Sequence, residues 1–177
     1  MQKLFKITLA GIVATSVATI ALAQDYAALA ALPKDDFLER YEDMFIDAMS
    51  VQKELLERVR PGMGDALDDG PMTDEERAAV ECTYDTMAAQ NQIDTLAEHL
   101  YLFDVLASKV EADPELDFVS VAFDEELSGQ FGGNTNEALL AAMSSCGSIA
   151  ASQKRMNMTP DMWAVFGQEA QARGLVD

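Results

Sequence analysis

Two short stretches carry side chains whose type and spacing could hold a metal ion. The first is Asp65-Ala66-Leu67-Asp68-Asp69-Gly70-Pro71-Met72-Thr73-Asp74-Glu75-Glu76. A calcium loop of twelve residues offers oxygen ligands from its first, third, fifth and twelfth positions, with glycine at the sixth for a sharp turn. Asp65, Asp69, Gly70 and Glu76 occupy the first, fifth, sixth and twelfth places. Leu67 stands where the third-position oxygen belongs, and Pro61-Gly62 separates the loop from the stretch before it. Glu76 also has a competing use, as the reciprocal partner of Thr73 in a helix cap.

The second stretch holds Met156, Met158 and Met162. Thioethers are soft ligands that suit cuprous copper, although methionines at a helix connection also serve as adaptable core filler. His99 is the only histidine. A lone imidazole on a helix usually sits at a core boundary with one nitrogen hydrogen-bonded. A helical bundle could also hold haem between this histidine and a methionine, and with no C-x-x-C-H sequence such a haem would be non-covalent. No nucleophilic set is visible. Ser144 and Ser145 lie in a small-residue stretch with no G-x-S-x-G context, and no glycine-rich phosphate loop opens a helix. The residues therefore point to no catalytic group, no enzymatic activity and no resident cofactor.

The elements that would position these side chains read as helices. The stretch 73–113 has neither Gly nor Pro, and Ala79, Cys82, Thr86, Ala89, Ile93, Leu96, Leu100, Phe103, Ala107 and Val110 recur at alternating steps of three and four. That pattern predicts one long helix with an edge in a bundle, opened by a Thr73–Glu76 capping box and closed at Asp113-Pro114. Residues 34–60 predict another, with Phe37, Tyr41, Met44, Ala48, Val51 and Leu55 on its seam. Asp113-Pro114 reads as a cap and first residue of a short helix over 116–127. Val119, Val121 and Phe123 also alternate as a strand would, but no second strand is visible to pair with them. After a break at 129–133, Asn134 or Thr135 caps a helix with Leu139, Ala142, Cys146, Ile149 and Gln153 on its seam. Thr159-Pro160-Asp161 starts a last one, which fades at Arg173-Gly174. The expected fold is all-α, a helical bundle of about four main helices plus a short helix, with one disulfide.

Lys3 and Lys6 precede an apolar run over 7–22, and Ala21-Leu22-Ala23 offers a small-x-small cleavage site. Residues 1–23 are expected to be a signal peptide, cut near Ala23. The segment 24–177 is then a single helical domain, periplasmic or secreted, with no stable membrane insertion. Acidic residues number 31 against 12 basic, a net charge of −19. Such a field repels nucleic acid and anionic headgroups and attracts cations and basic proteins. Nucleic-acid binding is excluded.

Export also favours a disulfide between Cys82 and Cys146, the only two cysteines. Both fall on predicted seams, so the bond is expected inside the bundle, where closing the loop stabilises by roughly 4 kcal/mol. The function these features favour is that of a small exported acidic protein with a binding or accessory role, in contact with another protein. A metal-binding role at 65–76 or 156–162 is the alternative. An acid-responsive chaperone is a further one, because protonation near pH ~4 would discharge most of the surface. Seams this regular can close within one chain or pair across a homodimer.

Overall fold

The computed structural model describes residues 26–124 and 137–176. The expected signal peptide, the break at 129–133 and the caps at Asn134 or Thr135 lie outside the described residues. Within them every regular element is a helix, and the single β-pairing is an isolated antiparallel bridge between Leu67 and Met156. The described chain is all-α, with one disulfide. None of its helices is long and apolar enough to cross a membrane.

Helix α1 is Lys34–Val59, as the periodicity predicts. Phe37, Tyr41, Met44, Ala48 and Leu55 form its inward stripe, widened by Phe45, Met49 and Leu56. Asp35 and Asp36 lie at the positive end of the helix dipole and Arg58 at the negative end. Arg58 also donates to the carbonyls of Asp113 (3.1 Å) and Leu116 (2.8 Å), fastening the end of α1 to a distant turn. The chain then folds back through a 3-10 turn, Gly64–Ala66. A Cβ at position 64 would lie 2.9 Å from the Lys53 carbonyl oxygen, so this close return along α1 requires glycine.

Helix α2, Asp74–Ala89, opens in the predicted capping box. Thr73 Oγ1 accepts from the Glu76 N–H (3.3 Å), while Glu76 Oε2 accepts from the Thr73 N–H (2.7 Å). The long helix expected over 73–113 is in fact two, because α3 begins afresh at Ile93–Ala112. Asn91 turns the chain with φ +54°. The Gln92 N–H reaches back to the Met87 carbonyl (2.9 Å) and the Asn91 N–H to that of Ala88 (3.0 Å). This is a Schellman closure with asparagine in the usual glycine place. The apolar register resumes in step beyond the turn, so periodicity alone did not reveal it.

The short helix is α4, Phe118–Phe123, but its cap is Asp117 rather than Asp113. Asp117 accepts from the Ser120 N–H (2.9 Å), whereas Asp113 ends α3 and accepts from the Glu115 N–H (3.0 Å). The helix expected through 139–153 is also divided, into α5 (Glu137–Ser145) and α6 (Ser148–Arg155). Gly147 sits between them at φ +80°, a conformation that favours glycine. Helix α7, Pro160–Ala172, starts at Thr159 as expected, with the Met162 N–H donated to Thr159 Oγ1 (3.3 Å).

Helix α1 packs on α3, α4 and α2, while α2 also packs on α5 and α6. The main core contains Phe37, Leu56, Met87, Leu96, Leu100 and Leu139, all essentially inaccessible to solvent. Each such side chain stabilises the fold by about 1.5–3 kcal/mol. A smaller cluster of Leu55, Leu106 and Val110 lies under α4. Cys82 and Cys146 are bonded with their Cα atoms 5.6 Å apart, but the bond is not interior as the seam implied. Cys82 is exposed and Cys146 half-buried. The inward face of α2 is Ala79, Val80, Thr83 and Met87, which rotates Cys82 out of the core.

Candidate functional site

The acidic loop is organised by an arginine. Arg155, at the end of α6, directs Nε and Nη2 at the two oxygens of Glu76, with Nη2 2.8 Å from Oε2. It also donates to the carbonyls of Asp68 (3.0 Å), Gly70 (2.8 Å) and Pro71 (2.6 Å). Its guanidinium lies over the Phe45 ring, 5.3 Å from the centroid. Burial would raise the Glu76 pKa, but Arg155 and the Thr73 N–H and hydroxyl outweigh it and hold the carboxyl down at about 2. Asp69 pairs with Lys53 at 2.9 Å, Asp65 is exposed, and Leu67 is buried beside Met156. Asp65, Asp69 and Glu76 are thus not brought to one point. Among the described residues no three His, Cys, Asp or Glu side chains gather as a metal site would.

The methionine run is divided as well. Met156 and Met158 line a cleft of about 660 Å³, whereas Met162 is not among its lining residues and packs on the main core. Tyr41, Phe45, Met49 and Gln52 of α1 form one wall of this cleft, and His99 and Phe103 of α3 another. Met143 of α5, Ile149 of α6 and Trp163 of α7 complete it, with Leu67 below and Ser152 and Gln153 at the exposed edge. Trp163 is 50% exposed although the side chain is large and apolar.

The fold therefore brings His99 to Met143, Met156 and Met158, which sequence order keeps far apart. The imidazole meets Phe103 edge-on with centroids 5.8 Å apart, and among the described residues it has no hydrogen-bond partner. Burial lowers its pKa, so the ring is neutral at ordinary pH. Burial also pushes the Tyr41 phenol up to about 12, which keeps that wall uncharged. A second hollow of about 540 Å³ is lined by side chains of both charges, Arg40, Asp104 and Glu111 among them.

Met49 and Met143 carried no signal of their own in the sequence, since both read as helix-face filler. Met156, Met158 and His99 stood out in the sequence, but no spacing said which methionines would meet the histidine. Compared with known protein families, with characterised proteins and with solved structures, the chain matches none.

Proposed function

We propose that this chain is an exported, acidic binding protein, accessory rather than catalytic, which holds a largely apolar ligand in the cleft around His99. The observation that carries the reading is the chemistry of the cleft wall. Charged residues make up 24% of the chain, yet among the described residues none lines this cleft. Its volume of about 660 Å³ lies within the range of about 300–1,000 Å³ that small-molecule sites occupy. Aromatic rings and thioethers supply the apolar contact, and Gln52, Ser152, Gln153 and His99 supply a few neutral polar groups for orientation.

Binding without turnover is supported by the isolation of His99, which has no hydrogen-bonded group among the described residues to orient it as a base. The basic head and apolar run of residues 1–23 support export. A net charge of −19 favours a basic protein as the partner of the accessory role.

The test is an equilibrium titration with the neutral dye Nile red, read by dye emission and by quenching of Trp163, the only tryptophan. Saturable binding at one site is expected, weakened at least tenfold by Met143→Glu, which puts a charge into the wall. A linear, unsaturable signal, or saturable binding that Met143→Glu leaves unchanged, overturns the reading.

A further inference from the structure

We infer that the ligand of the His99 cleft is a metalloporphyrin of the haem type, held without a covalent bond and with the His99 imidazole on its metal. The inference rests on the cleft reading above and names the ligand class. Two properties of the cleft must be met together, and each alone points elsewhere.

The first is the donor set. His99 reaches the cleft with a ring contact to Phe103 and no hydrogen bond among the described residues, so an imidazole nitrogen is free to bind metal. Met143, Met156 and Met158 bring thioethers to the same space from α5 and from the connector before α7. Imidazole and thioether are a pair that holds haem iron. A bare soft cation would accept the same donors.

The second property is size, and it decides between these two. A bare cation draws its ligands to roughly 2 Å. It would leave most of a cleft of about 660 Å³ unfilled. A flat apolar macrocycle uses far more of such a space and meets the aromatic side chains of Phe103 and Trp163. Charge is compatible as well. Among the described residues no carboxylate lines the cleft, and the exposed Ser152 and Gln153 present neutral donors where the acidic edge of a porphyrin would reach water.

The experiment titrates the purified full chain with ferric haem, with iron-free protoporphyrin and with Nile red, following the Soret band and Trp163 emission. One haem per chain is expected, bound at least tenfold more tightly than the iron-free macrocycle. His99→Ala should weaken haem at least tenfold and move the Soret band, and added imidazole should restore the band. His99→Gln, which keeps the side-chain volume, gives the same loss if the alanine variant does not fold. Equal binding of haem and iron-free protoporphyrin, or a Soret band indifferent to both substitutions, overturns the inference. Saturable Nile red binding without haem binding also overturns it, while leaving the proposed function standing. If none of the three probes enters, both readings fall.

Discussion

Arg155 and Glu76 stand 79 residues apart in the chain and bury each other's charge, each only 6% exposed. All the N–H groups of the guanidinium find acceptors, either on Glu76 or on the carbonyls of 68, 70 and 71. One side chain thus ties the end of α6 to the cap of α2 and shapes the loop between α1 and α2. Removing one member of such a pair strands the other without a counter-charge, whereas replacing both is far milder. Arg155→Met is expected to cost about 3–5 kcal/mol. The urea midpoint reports it, and Arg155→Met with Glu76→Gln should recover part of the loss.

The same pair sets an acid limit. In the fold the Glu76 carboxyl titrates at about 2 against an ordinary 4.5, because its bonds to Arg155 and Thr73 exceed the opposing effect of burial. A depressed carboxyl contributes stability that is fully present above the unfolded value and disappears as pH falls through the folded one. The loss should therefore run from about 4.5 down to about 2. Asp117 has the same sign: burial raises its pKa, but Arg173 and Ser120 outweigh it and lower the carboxyl overall. Urea melts at stepped pH should show this decline, and Glu76→Gln should flatten it.

Reduction of Cys82–Cys146 is expected to lower stability by up to about 4 kcal/mol, because the open chain regains loop entropy when unfolded. The bond joins α2 to the α5–α6 corner, from which Met143 and Ile149 reach the cleft. Thermal melts of the native protein and of Cys82→Ser/Cys146→Ser, with and without reductant, measure the effect. Reductant should shift only the native protein.

Asn91 should tolerate glycine and resist branched side chains. At φ +54°, Asn91→Gly keeps the closure of α2, and Asn91→Val should cost about 1–2 kcal/mol. Denaturant midpoints of the two variants should move in different measure, with Val much the lower.

Asp117 holds two elements with one carboxylate. It caps α4 through Ser120 and receives Arg173 from the end of α7, with Nη1–Oδ1 at 2.9 Å and Nη2–Oδ2 at 2.6 Å. Asp117→Ala should remove about 0.5–2 kcal/mol of capping alone. Hydrogen exchange should quicken in both 118–123 and 160–172. Acceleration confined to 118–123 would show that Arg173 contributes nothing to holding α7.

Much of the fold was legible wherever local chemistry decided it. The seam of α1, the Thr73–Glu76 box and the Thr159-Pro160 start all depend on residues within one or two turns, and each was found where expected. The breaks at Asn91 and Gly147 were hidden because the apolar register continues across both turns. A count of spacings has no access to φ. The position of the disulfide failed for a related reason: Ala79, Cys82, Thr86 and Ala89 form a seam on paper, but Val80, Thr83 and Met87 are the larger or better-placed buried residues. The cleft was least legible. His99 lay off its own seam, and although Met156 and Met158 were candidate ligands in their own right, no spacing tied them or Met143 to the histidine, which tertiary packing brings to them.

The surface disulfide has a consequence of a mechanical and proteolytic kind. It closes a covalent ring of sequence separation 64, which contains α3, α4 and α5. A protease that nicks the backbone once inside this ring releases no fragment, and the two pieces part only on reduction. Tension applied to the chain ends would bypass the ring through the sulfur bridge. About 210–230 Å of contour, at roughly 3.3–3.6 Å per residue, would then stay out of the load path until the bridge opened.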